Sequence, residues 1–156
     1  MKSGAGIALG AVGALAALGF WATRSGAEIG RPGAGMVVVK PFERRVLLLR
    51  RGPTDPWRPG WWNLPGGGIE PEETPLEGAR RETLEEAGLR VGRAKQVHKI
   101  LGPGWSFCVF ATTDWSGDVQ IDFESDDFAW VTAEEARSYP TLPGVQEAIE
   151  KALRSV

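Results

Sequence analysis

Gly66-Gly67-Gly68-Ile69-Glu70-Pro71-Glu72-Glu73-Thr74-Pro75-Leu76-Glu77-Gly78-Ala79-Arg80-Arg81-Glu82-Thr83-Leu84-Glu85-Glu86-Ala87-Gly88-Leu89 opens as a glycine turn, closes as a helix and carries seven glutamates. Thr74 with Glu77 three residues later has the signature of a capping box, and Pro75 suits the first helical position, where a missing N–H costs nothing. Gly88 stands where a left-handed residue ends a helix. The signals predict a helix over 75–87. At about 100° per residue, Leu76, Ala79, Thr83, Leu84 and Ala87 share one arc, expected to be buried, and Glu82, Glu85 and Glu86 gather beside it. Like charges at i, i+3 and i, i+4 weaken a helix. The triad therefore reads either as a solvated acidic face or as a group of hard oxygen ligands for Mg²⁺ or Mn²⁺.

The residues leading into the helix favour the second reading. Gly67, then Glu73 after five residues, then Arg81-Glu82-x-x-Glu85-Glu86-x-Gly88-Leu89 after seven more, resembles the box of the Nudix hydrolase family, the MutT-like pyrophosphohydrolases. Two positions depart from it. Thr83 replaces a large aliphatic residue, which weakens one core contact, and Glu72 replaces a glycine often found before Glu73, which stiffens or shifts the loop. Neither removes a candidate metal ligand.

The resemblance implies the Nudix fold, an α/β/α sandwich with a mixed β-sheet. It also implies hydrolysis of the pyrophosphate linkage of a nucleoside diphosphate joined to a second group, X. Glu82, Glu85 and Glu86 would hold Mg²⁺ (or Mn²⁺), with the Gly66 carbonyl and Glu124 as further ligands. Glu82 is the family's position for the catalytic base, with Glu85 and Glu124 as alternatives. Arg81 joins the catalytic group indirectly, pairing with Glu73 to fix the loop against the helix, and Gly67, Glu73 and Gly88 shape the motif. The rival class is a Nudix-like module that senses a nucleotide or a protein partner without hydrolysing it.

Composition sets the outer limits. The 156 residues, 42% hydrophobic and 24% charged, suffice for one globular core. A net charge of −2 gives no basic field to recruit nucleic acid; a small-molecule nucleotide partner is what the resemblance implies. Cys108 is the single cysteine, which rules out an intramolecular disulfide, and its apolar neighbours make it a packed strand residue. Nothing in the sequence signals an oligomeric state.

Residues 1–24 form a hydrophobic N-terminal segment, 25–33 a Gly-rich linker and 34–156 the expected domain. Residues 4–23 hold no charge and as a helix would span roughly 30 Å, a bilayer core. Lys2 and Arg24 flank the span, Trp21 lies near its end, and Gly6-x-x-x-Gly10 permits close helix packing. A signal anchor is the first reading. A cleaved signal peptide ending near Ser25-Gly26-Ala27 is the second, and a misassigned start (Met36 is the only other methionine) or a loosely packed tail is the third. With an anchor, Arg24, Arg31 and Lys40 on the far side place the domain in the cytoplasm.

The remaining chain alternates strands and helices. Strands are predicted over 36–40, 46–50, 94–101, 105–112, 119–123 and 128–131, with a turn at 115–118. Thr132 with Glu135 opens a short helix to about Ser138, and Val145, Ala148, Ile149, Ala152 and Leu153 mark an amphipathic terminal helix. Arg51, at the end of the second strand, is either a solvated strand end or, by the resemblance, a contact to substrate phosphates. The loop 52–60 and the residues after it carry Trp57, Trp61 and Trp62. Trp57 or Trp61 is a candidate to stack on a nucleobase, and Trp62 is expected in the core. His98, the single histidine, has no assigned catalytic role.

Overall fold

In a computed structural model, residues 32–55, 58–102 and 104–156 are described. Nine strands are present among them: β1 (Gly33–Lys40), β2 (Arg45–Arg51), β3 (Trp62–Asn63), β4 (Gly66–Gly68), β5 (Arg90–Val91), β6 (Lys95–Gly102), β7 (Trp105–Thr112), β8 (Trp115–Ser116) and β9 (Ser125–Val131). The helices are α1 (Pro75–Ala87), α2 (Ala133–Ala136) and α3 (Val145–Ser155). The main sheet runs β3-β2-β1-β7-β6, with β4 joined to β1 and β9 to β2. β1 and β7 pair in parallel and the other pairs are antiparallel, so the sheet is mixed as expected. β5 and β8 form a separate ribbon.

β1 is buried along nearly its whole length because both faces of the sheet are covered. The two-residue period then sorts its side chains. Ala34, Met36 and Val38 pack with Leu47 and Leu49 of β2 beneath α1. Val37 and Val39 pack with Val46 and Leu48 toward Val145, Ala148, Ile149, Ala152 and Leu153 of α3.

Both capping boxes form. The Thr74 hydroxyl accepts the Glu77 N–H at 3.3 Å while the Glu77 carboxylate accepts the Thr74 N–H at 2.7 Å, and Thr132 with Glu135 repeats the arrangement. Gly88 ends α1 at φ 71°, the left-handed conformation that glycine adopts without penalty, and its N–H bonds to the Leu84 carbonyl.

Several expectations change, among them the turn at 115–118, where Trp115–Ser116 is the short strand β8. Leu84 is 41% exposed, whereas Gly78, Ala79, Glu82, Thr83, Glu86 and Ala87 are buried. The buried stripe of α1 is thus rotated toward the glutamates, leaving Leu84 at its margin. Residues 119–123 are not a strand. The Gln120 and Asp122 amides bond instead to the Ala87 and Glu86 carbonyls, capping groups that a helix end leaves open. The following strand starts earlier, at Ser125, and α2 ends at Ala136 rather than near Ser138. The expected membrane span, and Trp57, lie outside the described residues. Among the described residues no helix is long and apolar enough to cross a membrane.

Candidate active site

β4 runs beside the first residues of β1 and then turns into α1, which brings the glycine turn and the helical glutamates to one cleft. Gly66, Gly67, Glu70, Arg81, Glu82, Glu85, Glu86, Asp122 and Glu124 line it. Glu82 and Glu86 are 4% and 5% exposed, and Glu85 projects further into solvent.

The positions of these carboxylates have local causes. A Cβ on Gly67 would lie 2.6 Å from Cδ and Oε1 of Glu82, so only a glycine leaves room for the carboxylate to settle against the strand. Glu86 Oε2 accepts the Gly66 N–H at 2.9 Å, tying helix to strand. The Arg81 guanidinium donates to Glu73 Oε1 at 2.8 Å, to the Gly68 carbonyl at 2.9 Å, and to Glu82 at 2.9 Å and Glu85 at 3.2 Å. Glu73 also accepts the Glu70 N–H, closing the turn. One cation thus bridges the loop and two members of the triad.

The electrostatics follow from these contacts. The bond from Arg81 holds the Glu73 carboxyl below its ordinary pKa, and its carboxylate partners, Glu73 foremost, strengthen the guanidinium's hold on its proton. Burial pushes Glu82 up, with Arg81 opposing it. Glu82 therefore holds a proton more readily than an ordinary carboxylate does.

Among the described residues no three acidic side chains converge on one metal-ligating point. Oxygens of Glu82 and Glu85 are held by Arg81, and one of Glu86 by the Gly66 N–H. The donors are nonetheless all oxygen and all face one cleft, a set that fits a hard divalent cation such as Mg²⁺ or Mn²⁺.

Glu124 lines the cleft, as does Asp122, which the sequence reading did not single out because it placed 119–123 in a strand. The signal was an Asp two residues before Glu124, since Asp side chains favour turns closed by the amide two positions on. Arg51, the expected phosphate contact, points into the interior in this structure. Its side chain is fully buried, ion-paired to Asp55 at 2.5 Å, and absent from the cleft lining. The Arg51 amide donates to the Trp61 carbonyl and its own carbonyl accepts the Gly60 N–H, so Arg51 anchors the loop rather than reaching outward. Trp61 also lies away from the carboxylates. It packs against the α3 side of the sheet with the Arg58 guanidinium 4.0 Å from its ring centroid. Trp62 is in the core, edge-on to Tyr139.

Residues 30–153 match the NUDIX domain family. The chain belongs to the Nudix family. Over 102 residues it is 32% identical to the nucleoside triphosphatase NudI of Klebsiella pneumoniae, covering 52% of this chain and 68% of that one. It is 34% identical over 121 residues to an octanoyltransferase of Myxococcus xanthus, covering 70% of this chain but 32% of that protein, about a third of its length. Among solved structures, the MutT protein of Methanosarcina mazei superposes with a TM-score of 0.64 at 27% identity, covering 80% of this chain and 94% of the other. The Nudix fold is shared with the MutT Nudix hydrolase of Burkholderia pseudomallei, at a TM-score of 0.66 and 24% identity over 78% of this chain and 96% of that one.

Proposed function

We propose that the protein is a Mg²⁺- or Mn²⁺-dependent hydrolase that cleaves the pyrophosphate linkage of a nucleoside diphosphate joined to X. The observation that carries this reading is the placement of Glu82, Glu85 and Glu86 of a Nudix box on one cleft with Asp122 and Glu124. Burying two carboxylates in one cleft is costly, and a bound cation would offset that cost. The similarity to a nucleoside triphosphatase supports the nucleotide substrate.

In this reading Glu82, Glu85 and Glu86 hold the cation, with the Gly66 carbonyl and Glu124 completing its oxygen shell. When bound, the ion neutralises phosphate oxygens and makes water more acidic. Glu82, whose pKa burial raises, accepts the proton of the attacking water, a contribution of about 10²–10⁴-fold for a well-placed general base. Arg81 and Glu73 keep the loop and helix in register, so the carboxylates meet the substrate at fixed positions. Cleavage of nucleoside triphosphates, oxidised deoxynucleotides, ADP-ribose, dinucleoside polyphosphates and nucleotide sugars, followed by chromatography of the nucleotide products with and without Mg²⁺, tests the proposal. Turnover of at least one, abolished by chelation, is expected. No turnover of any of them, or turnover indifferent to the cation, rejects it.

The tether reading rests on sequence alone. Residues 1–24 anchor the domain to a membrane, with the cleft on the cytoplasmic side. Fractionation of the full-length protein is the check: recovery in the membrane pellet is expected, and recovery as an unprocessed soluble protein rejects the anchor.

A further inference from the structure

The segment between β8 and β9 has no place in the main sheet, yet it delivers Glu124 to the cleft, so something other than a strand ladder must hold it. Its attachments run in a short relay. The Asp122 N–H reaches the Glu86 carbonyl at 3.4 Å, which fastens the segment to the end of α1. Asp122 Oδ1 accepts the Glu124 N–H at 3.0 Å, the two-residue turn that Asp side chains close. From the other side, the Gly52 N–H bonds to the Glu124 carbonyl at 2.9 Å, and a Cβ on Gly52 would lie 3.3 Å from that oxygen. Asp122 and Glu124 are half-buried and line the cleft, while Phe123 between them is 90% exposed.

We propose that Asp122 is a positioning residue for Glu124: its carboxylate oxygen fixes the Glu124 backbone in register with the triad helix. The inference rests on the hydrolase reading for Glu124's part in metal binding and turnover. The Asp122 carboxylate accepts from a backbone amide of the residue it positions, and its own amide is tied to the carbonyl of Glu86, a member of the triad. Displacement of Asp122 therefore moves Glu124 relative to Glu82, Glu85 and Glu86 without removing a group from the helix. What the role requires of Asp122 is an acceptor oxygen at Oδ1; its charge is incidental.

The difference between oxygen and charge supplies the test. Asp122→Asn keeps an acceptor oxygen and loses the charge, whereas Asp122→Ala loses both. Kinetics on the full chain are expected to show Asp122→Ala lowering kcat by about 10–100-fold, the usual consequence of removing an outer support of a metal site, with KM less affected. Asp122→Asn stays near wild type. In a Glu124→Gln background, Asp122→Ala adds little, because two residues acting through one contact are not additive. Mn²⁺ titration followed by electron paramagnetic resonance gives a second readout, in which Asp122→Ala and Glu124→Gln weaken binding and Asp122→Asn does not. If Asp122→Asn fails as badly as Asp122→Ala, the charge itself is at work and the proposal is overturned. Additive penalties, or a Glu124→Gln variant indistinguishable from wild type in both assays, overturn it equally. Should the wild type hydrolyse nothing, the hydrolase reading falls, and the Mn²⁺ affinities of the same variants still decide the role of Asp122.

Discussion

The two helices that cover the sheet bury opposite kinds of surface. α3 presents Val145, Ala148, Ile149, Ala152 and Leu153, all apolar. α1 presents Gly78, Ala79, Thr83 and Ala87 together with the carboxylates of Glu82 and Glu86. Burying a carboxylate is unfavourable unless donors replace the water it loses. Here Arg81 and the Gly66 N–H do so for Glu82 and Glu86. Thr83, fully buried where the box usually has an aliphatic side chain, donates its hydroxyl to the Ala79 carbonyl at 2.7 Å. The α3 face is apolar throughout, whereas the α1 face sets two buried carboxylates beside an apolar core of its own. That difference predicts which substitutions change which property.

The largest effect should come from Glu86→Gln. The amide keeps the shape and can still accept the Gly66 N–H, but the charge is gone. Turnover at saturating Mg²⁺ is expected to drop by at least ~10²-fold, within the range for loss of an essential acid, base or metal-site group. The melting temperature should hold or rise, since repulsion from Glu82 and Glu85 is relieved. Full activity in this variant would remove Glu86 from the metal shell.

Ile149→Ala is the mirror image. Ile149 is fully buried against the sheet, so its truncation should lower unfolding free energy by about 2–5 kcal/mol in a urea titration. Well below its melting temperature, the variant's kcat should match wild type. A proportional loss of kcat would show that the two faces are coupled through the sheet.

The sequence disclosed these faces unequally, for a physical reason. α3 was readable because its apolar residues recur at helical spacing and end up buried at those positions. The bounds of α1 were equally plain, since its cap residues form short-range bonds that the chain specifies locally. Its buried arc was misjudged because an apolar-inside rule assigns Leu84 inward and Glu86 outward, and the Gly66 N–H that makes Glu86 burial tolerable comes from a strand 20 residues earlier. Arg51 differs in that its partner is near in sequence. Asp55, four residues on, folds back to pair with it in the interior, and a loop without regular spacing gives no sign of that return. Asp122 was lost to the strand assignment, because the carbonyl that ends the strand pattern belongs to Glu86.

A smaller effect separates the faces by pH. His98 on β6 sits against α3, with Nδ1 2.8 Å from Lys151 Nζ and Nε2 3.7 Å from the Glu147 carboxylate. Lysine is the donor there, so the ring is neutral with its proton on Nε2. Burial, and then the charge of Lys151, lower the His98 pKa, with Glu147 opposing them. The unfolded chain takes up this proton near the ordinary value of 6.5 while the folded chain waits for a lower pH. Stability is therefore complete above the ordinary value and declines as pH falls through it, levelling off below the folded pKa. Melting temperatures across this window should slope for wild type and slope less for His98→Gln. Equal slopes would mean the histidine is not the titrating group.

The smallest effect returns to the catalytic face. Glu72 has φ 73°, left-handed for a residue with a side chain, at the position where the box often carries glycine. That conformation costs an L-residue roughly 1–2 kcal/mol, so glycine should relieve it. Against the gain stands the wider freedom glycine gives the unfolded chain, about 0.4–1 kcal/mol. The turn itself should survive the exchange, because it is closed by neighbours: the Glu73 amide bonds to the Glu70 carbonyl and the Glu70 amide to the Glu73 carboxylate. Glu72→Gly is thus expected to raise unfolding free energy by about 0–1.6 kcal/mol, the difference of those two terms, and to leave kcat unchanged. A urea titration resolves a shift of that size. Destabilisation would show that the Glu72 side chain supports the loop and that its left-handed backbone is repaid locally. A gain without loss of activity would show that the catalytic face tolerates strain beyond what its carboxylates require.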